Sequence, residues 1–123
     1  MRKKPFAASL ASRKLLESQG WTVDVVEQRI PHTFITRDCF GFADLLAVSP
    51  GKGIMLVQVT GGPDNSNFCA RVQKIKAIAE SGLWLASGGR IQVHSWESTK
   101  PQSEHVCKGR WCRVLEVTKE NNL

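Results

Sequence analysis

The chain has 123 residues, of which 41% are hydrophobic and 23% charged, and this is ordinary usage for one globular domain. The composition excludes a disordered, collagen-like or coiled-coil protein. The net charge of +6 favours an anionic partner such as nucleic acid, although some proteins are basic only for solubility. No apolar stretch reaches the roughly 20 residues of a membrane-spanning helix and no signal peptide is recognised, so we expect a cytoplasmic protein without a membrane partner.

Most of the four cysteines are expected to be free thiols, because no secretion signal accompanies them and a disulfide framework is not expected in a reducing cytosol. His105, Cys107 and Cys112, with His94 upstream, form a weak zinc pattern that lacks a paired-cysteine knuckle. Thiols packed on strands are the preferred interpretation. Zinc binding by Cys107 and Cys112 stays open at this point.

The first half of the chain predicts one helix and three strands. Residues 6–19 place alanines and leucines on one side and charges on the other, which is typical of an amphipathic helix, and Gly20 ends it. Residues 21–26 alternate apolar and polar side chains as a half-buried strand does. Segments 42–48 and 54–60 are apolar on both faces, so we expect them to be neighbours near the centre of a sheet.

The second half predicts a helix followed by further strands. After the break at 61–66, apolar residues recur at helical spacing to about Ser81. Residues 83–86 and 91–96 look like the two strands of a hairpin, and 111–118 can add another strand. The order α-β-β-β-α-β-β predicts an α/β fold with a mixed central sheet flanked by helices.

Asp44 is a carboxylate inside an otherwise hydrophobic strand, and burying an ion without a partner is costly. Gln58 lies 58 − 44 = 14 positions later, within the next apolar strand, and strand pairing can bring the two side chains together. A metal ion bound by carboxylate and amide oxygens is one explanation. The other is a structural acid that caps a backbone group and bonds to Gln58, and these two residues alone slightly favour it.

The segments Gly41-Phe42-Ala43-Asp44-Leu45-Leu46 and Gln58-Val59-Thr60, the latter followed by a helix, resemble the PD-(D/E)XK nuclease superfamily. The archaeal Holliday junction resolvases and the VRR-NUC group, which has Gln in place of the second acid, are similar in shape. The resemblance implies a restriction-endonuclease-like α-β-β-β-α-β core over about 6–97, with 98–123 as a C-terminal extension of the single domain. It also implies that Asp44, Gln58 and the Val59 carbonyl bind Mg²⁺ or Mn²⁺.

Two positions depart from the superfamily pattern. Thr60 stands where the family has its catalytic Lys, and a threonine cannot stabilise negative charge on a phosphate as an ammonium does. Lys74 or Arg71 on the following helix can supply that charge and contact DNA, with Lys74 as the catalytic candidate, but both residues are equally well explained as a solvated helix flank. Ser9 stands where resolvase-like members carry a metal-binding Glu on the first helix.

Asp38 and Glu27 are the remaining acids near this site in the sequence. We favour Asp38 as a further metal ligand, because it precedes the glycine-containing approach to Asp44; an Asp in a turn or at a helix cap is the alternative.

These residues predict a Mg²⁺-dependent DNA endonuclease, with branched DNA among its substrates as the resemblance implies. A homodimer would suit the cleavage of two strands. A catalytically inactive, nuclease-like DNA-binding or adaptor protein is the alternative, because the motif lysine and one acid are missing. In a third interpretation the chain is a protein-interaction module whose basic charge serves solubility.

Overall fold

The computed structural model describes residues 7–29, 31–32, 36–60, 65–97, 105–107 and 110–118. The helices within these ranges are α1 (Ala8–Ser18), α2 (Asn65–Ala77) and α3 (Ala79–Ala86). The strands are β1 (Thr22–Val25), β2 (Gln28–Arg29), β3 (Thr36–Arg37), β4 (Leu45–Ser49), β5 (Gly53–Thr60), β6 (Arg90–Glu97), β7 (His105–Cys107) and β8 (Arg110–Val117). No helix within the described ranges is long and apolar enough to cross a membrane.

Six of the strands form one mixed sheet in the order β1-β4-β5-β6-β8-β7, and β2 pairs with β3 separately. Neighbouring strands are antiparallel except for β5 and β6, which run parallel. The predicted α/β class with a mixed sheet is therefore confirmed. The prediction that β4 and β5 are neighbours inside the sheet is also confirmed, since they are its second and third strands.

The sheet has helices on both faces, which explains why its inner strands are apolar on both sides. On the α1 face, Leu16 packs into a cluster with Leu45 and Val57. On the opposite face, which we call the α2 face, Val72 of α2 packs into a cluster with Leu56 of β5 and with residues of β6. Side chains alternate between these two faces along each strand, so the face of any strand residue follows from its position.

The predicted strand at 83–86 is wrong, because these residues belong to α3. A short apolar run does not by itself distinguish a strand from a buried helix. Ile78 has an extended backbone between α2 and α3, and the Ser81 hydroxyl donates to the Ile75 and Ile78 carbonyls at this break. The two helices replace the predicted hairpin and carry the chain across the sheet, so β6 runs parallel to β5.

The C-terminal extension supplies β7 and β8, and β8 pairs along β6. Val117 and Cys112 of β8 are buried in the clusters on the two faces of the sheet. Cys39 and Cys112 are free thiols, as predicted; the side chains of Cys69 and Cys107 lie outside the described residues. Both ring nitrogens of His94 have hydrogen-bond partners within the protein, which argues against a role for His94 as a zinc ligand.

A buried polar network fastens α1 to the sheet. The Ser12 hydroxyl lies 2.9 Å from Nδ1 of His94 and accepts a 2.8 Å hydrogen bond from Nε1 of Trp96. The other ring nitrogen of His94 lies 2.9 Å from Oε1 of Gln92. Because Ser12 has partners on both sides, its hydroxyl can be buried completely without an unpaired group.

Replacing Gly89 with alanine is expected to lower the free energy of unfolding by about 1–3 kcal/mol, as overpacking does. A Cβ at this position would lie 2.3 Å from Cε2 of Trp84, and that ring is held by a 2.7 Å hydrogen bond from its Nε1 to the Arg90 carbonyl. Urea denaturation measures the change. The control is Gly82→Ala in α3, where the added Cβ meets no atom within 4 Å and alanine favours the helix. Equal stability of the two variants would contradict this packing.

Candidate metal site

The candidate site begins at a tight reversal of the chain before β4. Cys39 and Ala43 form an antiparallel bridge, and Phe40 and Gly41 between them both have positive φ. Glycine adopts this conformation without strain, so Gly41 suits the turn. Since Asp38 and Asp44 directly flank the bridged pair, the turn places their carboxylates opposite each other.

Two further strands complete the site around Asp44. β1 continues beyond its last paired residue, with Val26 N–H donating to the Asp44 carbonyl, so Glu27 arrives next to this position. On the other side, Leu45 pairs with Val57 of β5, which places Gln58 opposite Asp44. The side-chain oxygens of Glu27, Asp38 and Asp44 all lie within 4.8 Å of one another.

Asp44 is only 7% exposed and its carboxylate is tightly held. Its Oδ2 accepts hydrogen bonds from Nε2 of Gln58 at 2.9 Å and from Val59 N–H at 2.8 Å. Nε2 of Gln58 also donates to the Val59 carbonyl at 3.2 Å. The predicted residues Asp44, Gln58, Val59 and Asp38 are therefore brought together at one end of β4 and β5.

This environment disfavours a negative charge on Asp44. Burial raises the pKa of its carboxyl from the ordinary 3.8 to about 7, against the hydrogen bond from Val59 N–H, which lowers the pKa. The charge of Asp38, a hydrogen bond with the Asp38 carboxyl and the charge of Glu27 raise it further. Three acids in this arrangement favour either a retained proton or a bound cation.

The donor set fits a hard divalent cation. Mg²⁺ and Mn²⁺ prefer carboxylate, carbonyl and water oxygens, and the site offers the carboxylates of Glu27, Asp38 and Asp44. The Gln58 amide directs its Nε2 at Asp44 and the Val59 carbonyl, so Gln58 would offer Oε1 to a cation only after its amide group rotates. A cation would also offset the mutual repulsion of the three carboxylates. Metal binding by these residues remains a prediction.

The candidate cationic residues lie on α2. Arg71 and Lys74 are exposed, whereas Val72 and Ile75 between and beside them are buried against the sheet. The hydrogen bonds of Asp44 and Gln58 described above go to each other, to Val59 and to Asp38, not to Arg71 or Lys74. A catalytic role for Lys74 and DNA contacts by both residues remain predictions.

Sequence reasoning favoured Asp38 over Glu27, and the structure places both beside Asp44. Glu27 lies beside Asp44 because β1 pairs with β4. This pairing joins residues that are far apart in the sequence, and no short segment around Glu27 indicates it. Glu17, the acid near the end of α1, forms an i,i+4 ion pair with Arg13 at 3.7 Å.

No family model, curated protein or solved structure matches this chain.

Proposed function

We propose that the protein is a divalent-metal-dependent DNA endonuclease whose site is built on Asp44. The observation that carries this proposal is the convergence of three carboxylates within 4.8 Å, with Gln58 bonded to the buried member. Such a group of oxygen donors is what a catalytic Mg²⁺ needs, and the net charge of +6 suits a polyanionic substrate.

The chain's own residues have distinct roles in this proposal. Asp44 is the central metal ligand, and the hydrogen bond from Val59 N–H fixes its orientation. Asp38 and Glu27 complete the anionic side of the site. The Val59 carbonyl would supply a neutral oxygen, and so would Gln58 once its amide group rotates to exchange Nε2 for Oε1. When bound, the cation would activate a water molecule and neutralise charge on the phosphodiester.

The order of elements supports the resemblance to PD-(D/E)XK nucleases. In chain order α1, β1, β4, β5, α2 and β6 follow the α-β-β-β-α-β succession, apart from the β2–β3 pair and the short α3. The first three of these strands are antiparallel neighbours and the fourth is parallel to the third. Gln58 lies on β5 and Asp44 directly before the adjacent strand β4, close to the placement that the resemblance implies.

A DNA-binding or adaptor protein without catalysis is the second candidate. It is favoured by Thr60, which is neutral at the position of the family lysine, and by the exposure of Lys74 and Arg71 on α2. Such a protein would retain affinity for DNA, with a strength that falls as salt rises through counterion release.

The test is incubation of the purified protein with branched, single-stranded and duplex DNA in Mg²⁺, Mn²⁺ or EDTA. We expect nicked or cleaved product with either metal and none in EDTA, on at least one DNA structure. Binding without cleavage under all conditions would favour the adaptor. Neither binding at low salt nor cleavage would overturn both candidates and leave the interaction module. A homodimer, which two-strand cleavage would use, is measured by sedimentation of the free and DNA-bound protein.

A further inference from the structure

Among the residues that the structure describes, a buried hydroxyl without a hydrogen-bond partner lies on β6, the strand next to that of Gln58. Ser95 of β6 is 1% exposed, and within the described part of the chain its Oγ is the buried side-chain oxygen that has no hydrogen-bond partner. An unpaired polar group in the interior is costly, and native proteins retain one where a ligand or water completes it. The position of Ser95 therefore points to a bound group.

Strand pairing sets Ser95 in a row with two other polar residues. Thr60 of β5 is its partner on one side and Arg113 of β8 on the other. Successive strands lie about 5 Å apart, so the three residues line up across three strands. We call Thr60, Ser95 and Arg113 the polar row.

The polar row belongs to the same face of the sheet as the metal ligands. Gln58 and Thr60 are two positions apart on β5 and therefore share a face. Leu115, two positions after Arg113, packs in the cluster on the α2 face, whereas Cys112 and Val114 pack in a cluster with Ala11 of α1. Arg113 therefore projects from the α2 face, as Ser95 and Thr60 do.

The row lies at the end of the sheet where ligands of α/β proteins bind. β5 and β6 are parallel, and Thr60 is the last residue of β5. Ligands of open α/β sheets are held outside the carboxyl ends of parallel strands. Because a strand rises about 3.3 Å per residue, Thr60 lies about 7 Å beyond Gln58. Ser95 and Arg113 lie one and two strand spacings further across the sheet, so an extended DNA backbone can contact both the cation and the row.

We propose that the polar row binds a phosphate of the DNA backbone next to the metal site, with Ser95 and Thr60 donating hydroxyl hydrogen bonds and Arg113 supplying the cation that the Gln58-Val59-Thr60 tripeptide lacks. This inference rests on the proposed function. A guanidinium forms bidentate hydrogen bonds with phosphate oxygens, so Arg113 replaces the family lysine from a strand that lies outside the α-β-β-β-α-β core.

The first test uses a labelled DNA duplex, with affinity measured across a salt series and cleavage measured in Mg²⁺. Arg113→Gln is expected to flatten the salt slope by about one and to slow cleavage about 100-fold. Arg113→Lys keeps the charge and should restore the slope while it recovers only part of the rate. The control is Lys14→Gln, which removes one exposed charge from α1, on the other side of the sheet, and should leave slope and rate unchanged.

The second test compares two equally buried serines. Ser95→Ala is expected to weaken DNA binding about tenfold. It should leave Tm unchanged or raise it by up to about 5 °C, since the Ser95 hydroxyl has no partner in the described part of the protein. Ser12→Ala removes the hydroxyl bonded to Nδ1 of His94 and to Nε1 of Trp96, so it should lower Tm by about 4–8 °C without a specific effect on the salt slope. A fall in Tm for Ser95→Ala as large as that for Ser12→Ala would overturn the inference.

The outcomes separate the polar row from the nuclease proposal. If the wild-type protein cleaves DNA and the Arg113→Gln and Ser95→Ala variants cleave it equally well, the proposal of the polar row is overturned and the nuclease proposal stands. If the wild-type protein binds DNA in a metal-dependent way but does not cleave it, and these variants bind more weakly, the polar row is supported and the nuclease proposal is overturned. If the wild-type protein binds no DNA at low salt, both fail.

Discussion

In EDTA at pH 8, the Asp44→Asn variant is expected to be more stable than the wild-type protein. The folded-state pKa of Asp44 is about 7 because burial and the neighbouring acids disfavour its charge, whereas its ordinary pKa is 3.8. Asp44 therefore costs the folded protein no stability below about pH 4, and its cost grows as the pH rises from there through 7. This cost is on the order of 2–4 kcal/mol. Asparagine carries no charge, and its amide oxygen can still accept the Val59 N–H bond.

The measurement is urea denaturation in EDTA at pH 4, 6 and 8. The stability of the wild-type protein relative to the Asn variant should fall between pH 4 and pH 8. The matched control is Asp24→Asn on β1, which removes an exposed carboxylate. The free energy of unfolding of this variant should depend on pH in the same way as that of the wild-type protein. If the free energies of unfolding of the wild-type protein and of Asp44→Asn changed equally with pH, folding would not raise the pKa of Asp44.

Adding Mg²⁺ at pH 8 extends the same experiment to the metal. A ligand that binds only the folded state stabilises the protein in proportion to the logarithm of its concentration. We expect Mg²⁺ to stabilise the wild-type protein and not Asp44→Asn, because the ion offsets the same repulsion that raises the pKa of Asp44. Stabilisation of both forms by equal amounts would place the cation elsewhere.

The pair Asp44 and Gln58 was predictable because polar residues inside doubly apolar strands are conspicuous in a sequence. Their contact follows from β4 and β5 being consecutive antiparallel neighbours, the simplest arrangement for such strands. Asp38 was also within reach of prediction, since the glycine in the turn before β4 reverses the chain. These features are local or involve neighbouring elements.

The remaining parts of the site depend on contacts that no short segment specifies. Glu27 joins the acids through the pairing of β1 with β4, and Ser95 faces Thr60 only because β6 is parallel to β5. The hairpin predicted at 83–96 would have paired β6 with residues 83–86. The parallel pairing of β6 with β5 was therefore not foreseen. Arg113 lies in the C-terminal extension, outside the segment that carries the family resemblance, and its place was fixed only by the pairing of β8 with β6.

The largest functional effect is expected from the same Asp44→Asn substitution in Mg²⁺ or Mn²⁺. Removing the charge of the most buried of the three acids leaves side-chain volume nearly unchanged but deprives an oxygen-ligated cation of a central anionic ligand. We expect Mn²⁺ affinity to fall about 100-fold and cleavage to fall by at least the same factor, with the fold intact. Calorimetry with Mn²⁺ and a single-turnover cleavage assay measure the two effects.

Lys74→Ala is the companion variant, because the exposed Lys74 on α2 was the first candidate for the missing lysine. A catalytic Lys74 would lower turnover more than DNA affinity, whereas a Lys74 that positions a phosphate would weaken binding and flatten the salt slope by about one. If the polar row supplies the charge instead, Lys74→Ala should leave turnover near that of the wild-type protein, while Arg113→Gln lowers it. Cleavage that survives both Asp44→Asn and Lys74→Ala unchanged would mean that the active site lies away from β4 and β5.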